Sequence, residues 1–186
     1  MRHNLSLSGV YELPFGKGKR WATGKPATVL LGGWQLNMLA RLSTGTPVTP
    51  TAPGTVLNAP GSSQFADCLG PVDKIGQRTR WWDKTNLADP NAVSRNTPRF
   101  GTCGVGVLRA PGLINMDGSV FRKFTFGERY SIQIRAEAFN VSNTPHFANP
   151  NADISSSNFG IISNVQNTGR EGNDQRIFRV GVRIGF

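Results

Sequence analysis

The sequence predicts an all-β fold, an antiparallel sheet of about five strands with two long loops. Three observations support this: period-two alternation recurs in five places, helical periodicity is scarce, and the connections alternate between short and long. Successive side chains of a strand point to opposite faces, so an alternating segment carries two chemically different surfaces whatever surrounds it.

The strands follow in chain order. In 3–13, Leu5, Leu7, Tyr11 and Leu13 oppose Asn4, Ser6, Ser8 and Glu12. In 30–50, Trp34, Leu36, Met38, Ala40 and Leu42 oppose Gln35, Asn37, Arg41 and Ser43. In 112–126, Ile114, Met116, Val120, Phe124 and Phe126 oppose Asn115, Asp117 and Ser119, and Arg122 intrudes on the apolar side. An arginine facing lipid costs about 2–4 kcal/mol at the bilayer midplane but about 0–1 kcal/mol near an interface, and Arg122 lies close to the strand end. In 130–142, Tyr130, Ile132, Ile134, Ala136 and Ala138 oppose Ser131, Gln133, Arg135 and Glu137. In 175–186, Phe178, Val180, Val182, Ile184 and Phe186 oppose Arg179, Gly181, Arg183 and Gly185. The last two match the roughly 9–11 residues that a tilted strand needs to cross a bilayer.

The connections give direction. Gly127-Glu128-Arg129 is a tight hairpin, and Pro14-Phe15-Gly16-Lys17-Gly18 leads from the first strand toward Trp34. The loops 51–111 and 143–174 are long, polar and rich in Pro, Gly and Asn. Outer-membrane barrels show this asymmetry, with short periplasmic turns and long extracellular loops. Tyr11, Trp34, Phe124, Phe126, Tyr130 and Phe186 collect on the apolar faces at the short-turn end, where a girdle of rings meets the membrane interface. The expectation is therefore an antiparallel transmembrane β-barrel segment. It is a partial barrel: about 8 strands is the small end for closure, and an open edge in hydrocarbon leaves backbone groups unpaired at several kcal/mol each. The competing expectations are a soluble secreted β-domain binding carbohydrate or protein, whose apolar face would turn to a core, and a small complete porin or adhesin.

Composition excludes less. The net charge of +10 would suit nucleic acid if it were clustered, but apart from Lys17, Lys19 and Arg20 the cations are spread along the chain, so no nucleic-acid partner is expected. Arg41, Arg135, Arg179 and Arg183 share strands with apolar faces and are expected to face the wet lumen. No run of about 18 apolar residues exists for a transmembrane helix. Met1-Arg2-His3 opens directly into a strand pattern without an export signal, so the chain is expected to be a truncated gene product or the tail of a longer reading frame.

Catalytic chemistry is not expected. No nucleophile elbow, Walker loop or zinc spacing occurs, His3 and His146 stand far apart, and neither a metal nor a cofactor is implied. Gly101-Thr102-Cys103-Gly104-Val105-Gly106 does not complete a phosphate-binding glycine pattern and reads as a flexible loop. Trp81 and Trp82 are candidates to stack on a sugar or peptide, against the plainer reading that they pack the loop onto the barrel rim.

Several stretches resemble the C-terminal barrel of Oar-like TonB-dependent transporters. They are Phe126-Gly127-Glu128-Arg129-Tyr130, Ile134-Arg135-Ala136-Glu137-Ala138-Phe139-Asn140-Val141-Ser142-Asn143, Pro145-His146-Phe147-Ala148-Asn149-Pro150, Gly9 to Lys19, Leu31-Gly32-Gly33-Trp34-Gln35, Leu108-Arg109-Ala110-Pro111-Gly112 and the closing Phe186. The resemblance implies a barrel of about 22 strands with an N-terminal plug, driven through TonB to import a large or scarce solute. This sequence lacks the plug, the TonB-contacting segment and most strands, so TonB would be met only through the missing N-terminal part. Phe178, Val180, Val182, Ile184 and Phe186 resemble the C-terminal motif read by the barrel-assembly machinery, which with outer-membrane lipid completes the expected partners. Cys68 and Cys103 lie in the first long loop, on the side of an oxidising compartment, and are expected to form a disulfide; the alternative is two unrelated thiols.

Overall fold

The structure is a computed structural model that describes residues 2–21, 24–57, 60–93, 98–166 and 174–186. It divides into two compact units. One is built from Asn4–Leu42, Ile114–Pro145 and the C-terminal segment; the other centres on Ser43–Leu113 and His146–Gln166.

The first unit is the alternating sheet. Its strands are β1 (Asn4–Glu12), β2 (Trp34–Ser43), β3 (Leu113–Phe126), β4 (Tyr130–Phe139) and β5 (Ile177–Gly185). They are hydrogen-bonded in sequence order, which makes a meander. Pairing of β3 with β4 and of β4 with β5 is antiparallel. Cross-strand partners share a face, so the register sorts the side chains without further assumption. On one face lie the rows Phe124, Ile132, Ile184; Arg122, Ile134, Val182; Val120, Ala136, Val180; and Gly118, Ala138, Phe178. On the other lie Lys123, Gln133, Arg183; Phe121, Arg135, Gly181; and Ser119, Glu137, Arg179.

Two strands are shorter than expected. The start of 30–50 is not strand: Lys25–Leu31 forms a short helix α1, with Pro26 in its first turn, where a missing N–H costs nothing. Gly33 then takes φ 75°, a conformation that L side chains rarely adopt, and β2 begins at Trp34. The far end of 30–50 also leaves the sheet, because Pro47–Val48 pairs with Leu108–Arg109 instead.

The expected strand 130–142 stops at Phe139 because Asn140 and Asn143 adopt left-handed φ angles of 48° and 50°. Asparagine tolerates this region better than most residues. Asn140 is buried, and its Nδ2 donates to the carbonyls of Thr144 (3.0 Å) and Asp174 (2.6 Å). Its backbone N–H donates to Asp117 Oδ1 at 2.9 Å. One residue thus ties the end of β4 to β3 through its backbone and to the entry of β5 through its side chain. Asn140→Ala is expected to cost about 1–3 kcal/mol through the two stranded carbonyls, read as a lower urea midpoint of the folded chain in detergent.

The second unit corrects the expectation of an irregular loop over 51–111. Short antiparallel ladders join Thr51–Pro53 to Ser63–Phe65, Asp67–Cys68 to Leu87–Ala88, and Lys74–Gln77 to Arg80–Trp82. Both buried apolar clusters found among the described residues lie here: Ala52, Ala66, Leu87, Cys103 and Ile154 in one, Trp81, Trp82, Leu108 and Ile162 in the other. Distant segments are also stapled. Cys68 and Cys103 are disulfide-bonded with Cα atoms 4.9 Å apart, inside the usual range for a bridge. Arg99 Nη1 donates to buried Asp67 Oδ1 at 2.9 Å, and the Thr102 N–H donates to the same oxygen at 3.0 Å. The Arg99 hydrogen bond, with the Thr102 N–H, holds the Asp67 carboxyl below its ordinary range against the opposing pull of burial. The glycine-rich stretch at 101–106 is tied to its neighbours at its start: a Cβ on Gly101 would stand 2.0 Å from the Phe65 carbonyl oxygen, so the backbones meet there where no side chain fits.

Candidate functional site: a sheet with two faces

Parity along the strands becomes chemistry in the sheet. On the apolar face of β5, Phe178, Val180, Val182 and Ile184 are each between 64% and 76% exposed. Leu5, Leu7, Tyr11, Leu36, Met38, Leu42, Ile114, Phe126, Tyr130 and Ile134 are exposed as well. A folded chain in water buries such residues, because each large apolar side chain left exposed forgoes about 1.5–3 kcal/mol. Here the buried apolar clusters sit in the loop unit while the most apolar surface of the sheet stays uncovered. An exposed apolar area of this extent marks an interaction surface, and lipid is the solvent that suits a whole sheet face.

The opposite face is cationic. Arg135, Arg179 and Arg183 are in register with Gly181, Glu137 and Gln133, opposed to the Ile134 and Val182 side. Asn37 Nδ2 donates to Ser119 Oγ at 3.3 Å, which puts Asn37 on this face and, by parity along β2, Arg41 as well. Arg135 lies over the ring of Phe121 at 5.3 Å and Arg179 over that of Phe139 at 5.7 Å. Cation–π contact of this kind holds a guanidinium without neutralising it. Neither ring was singled out by sequence reading, although both occupy polar-face positions by simple parity. Arg135 also approaches Glu137 at 3.4 Å.

Arg122 is on the apolar face, as its position in the alternation requires, but it is buried. Its guanidinium lies 4.2 Å from the centroid of Phe124 and 6.0 Å from that of Trp34, and Nη1 donates to the Leu30 carbonyl at 2.8 Å. Shielding by two rings and a hydrogen bond to a helix-end carbonyl removes much of the cost of a cation on this face. The sequence offers nearness to the strand end as the reason such an arginine is tolerated; the structure adds a specific pocket.

Trp81 and Trp82 do not offer stacking faces. Both are buried, both Nε1 groups donate to the Arg109 carbonyl at 2.9 Å, and Trp82 packs against Phe159. Lys74 covers the Trp81 ring at 4.7 Å. The pair therefore forms the centre of the second apolar cluster of the loop unit, not a sugar or peptide contact, because each indole donor is satisfied by the Arg109 carbonyl and the rings are covered by apolar neighbours and, over Trp81, by Lys74.

An antiparallel meander with one lipid-compatible face and one wet face, its strands long enough to cross a bilayer, defines a transmembrane β-sheet protein. No helix among the described residues is long and apolar enough to cross a membrane. Residues 1–178 match the family model of an outer membrane beta barrel domain, and the chain belongs to that family. It is accordingly a protein of the Gram-negative outer membrane. No curated protein and no solved structure matches it.

Proposed function

We propose that the chain supplies part of the barrel wall of an Oar-like TonB-dependent transporter and acts in the energised import of a large or scarce solute rather than in catalysis. The observation that carries this reading is the sheet's division into an exposed apolar face and an arginine-rich opposite face, which is what the wall of a water-filled barrel requires. The motif resemblance selects the transporter among barrels. Its stretch from Phe126 to Asn143 is the hairpin, strand and asparagine corner that organise β3, β4 and β5. On this reading Arg41, Arg135, Arg179 and Arg183 line the lumen, and the partners are outer-membrane lipid and the barrel-assembly machinery. TonB is met by segments outside this sequence. The genomic sequence upstream of the Met1 codon tests the proposal: an in-frame plug region and further alternating strands are expected, and an unrelated frame or a stop followed by a separate gene would overturn it.

Phe186 adds an assembly role on the same reading. It continues the apolar face of β5 and is 97% exposed. A terminal strand with one greasy face and a free edge can pair with the edge of an assembly machine before the barrel closes. Deleting Phe186 from the protein made in cells is expected to lower outer-membrane insertion several-fold more than Tyr130→Ala, which removes a ring from the same girdle. Equal defects, measured as protein in the outer-membrane fraction, would leave Phe186 an anchor only.

A further inference from the structure

The connection from β1 to β2 is not a plain turn. Between Leu13 and Trp34 it carries four cations, Lys17, Lys19, Arg20 and Lys25, and no carboxylate. Its first half is an ordered loop: Gly16 N–H donates to the Trp21 carbonyl at 3.0 Å, Trp21 N–H to the Pro14 carbonyl at 3.1 Å, and the Phe15 and Trp21 rings lie 5.9 Å apart. Lys17 and Arg20 project from it exposed; Arg20 covers the half-exposed Trp21 ring at 5.5 Å, and Lys19 pairs with Glu12 at 2.9 Å. Its second half is α1, which ends in Val29, Leu30 and Leu31, exposed by 64%, 70% and 49%.

The place of α1 is set by one carbonyl. Leu30 O accepts from Trp34 Nε1 at 3.1 Å and from Arg122 Nη1 at 2.8 Å, and Arg122 belongs to the apolar face of the sheet. The helix end is therefore moored on the lipid side of the wall, and its uncovered leucines continue the surface formed by the strands. A segment in which apolar residues extend a membrane-facing surface while exposed cations, one of them over an aromatic ring, stand in the same connection has the composition of a membrane interface binder.

We propose that the connection between β1 and β2 binds anionic phospholipid headgroups of the leaflet on its side of the membrane, with Val29, Leu30 and Leu31 among the acyl chains and Lys17 and Arg20 at the phosphates. The charge of the connection is complementary to such headgroups, and the apolar surface is continuous with the face that meets the bilayer. The inference rests on the outer-membrane location and not on the identity of any transported solute. Basic residues at an anionic surface gain enough attraction that losing two of them is readily measured.

Native mass spectrometry of the full chain, released from detergent micelles doped equally with phosphatidylglycerol and phosphatidylcholine, reads the preference directly. Retained phosphatidylglycerol is expected to exceed phosphatidylcholine by about threefold or more at low salt, with a smaller excess as salt rises. The double variant K17Q/R20Q should bring the ratio close to one, and because both positions are exposed the variant keeps the fold. The charge-matched variant R179Q/R183Q on the other face should keep the wild-type ratio. Equal retention of the two lipids by the wild-type chain, or a ratio lowered equally by both double variants, would overturn the proposal.

Discussion

Replacing both Cys68 and Cys103 by alanine is expected to destabilise the loop unit by about 3–4 kcal/mol, the loss of chain entropy restraint for a loop closed over 35 residues. The bond acts mainly on the unfolded chain, because the folded segments are already held together without it. Cys103 N–H donates to the Ala66 carbonyl at 2.9 Å, Cys68 N–H donates to Thr102 Oγ1 at 3.1 Å, and Arg99 with the Thr102 N–H grips Asp67. The folded unit should therefore keep its arrangement while its unfolding midpoint falls. Trp81 and Trp82, buried in this unit, report the transition by fluorescence, and urea unfolding with and without reductant gives the difference. An unchanged midpoint on reduction would show that the bridge adds nothing to the other staples. The comparison belongs near neutral pH. The Asp67 carboxyl is held below its ordinary range, so the stability from its pairing is complete above that ordinary value, about 4, and fades as pH falls through the depressed one.

Exchanging Val182 and Arg183, as V182R/R183V, is expected to cost about 2–4 kcal/mol although it changes neither composition nor charge. Val182 stands at the middle of β5 on the face with Ile134, and Arg183 pairs with Gln133 on the other. The swap moves a cation from the wet face to the lipid face at the depth where lipid penalises it most. Arg183→Val alone should be close to neutral, since it places an apolar group where water or neighbouring polar groups tolerate it. Unfolding of the chain in lipid vesicles, followed by tryptophan emission, measures both. Equal stability of the swapped and original proteins would remove the basis for assigning the two faces.

Much of the sheet was legible in the sequence because the direction of a side chain in a strand depends only on parity. The pattern from Phe178 to Phe186 needed no neighbour to be read, and the register with β4 kept every residue from Phe178 to Gly185 on the expected face. Parity also placed Arg135, Arg179, Arg183 and Arg41, and it identified Arg122 as the exception. The same method failed where periodicity is short or local chemistry is ambiguous. Lys25–Leu31 is too brief to show a helical repeat, and its apolar end ran into the strand pattern that starts at Trp34. Asn140 sits inside an apparently continuous strand segment, and only its left-handed backbone reveals a corner.

The sequence by itself determined the number of long strands, their two faces and the cysteines available for a bridge, because these follow from residue type and spacing along the chain. Tertiary structure alone decided where distant segments meet. It turned the tryptophan pair inward onto the Arg109 carbonyl, closed the glycine stretch onto Phe65, and hid Arg122 between Trp34, Phe124 and the end of α1. Apart from Phe124 beside Arg122, these contacts join residues separated by tens of positions, and the free energy that fixes them comes from burial and hydrogen bonding between partners that no local pattern records.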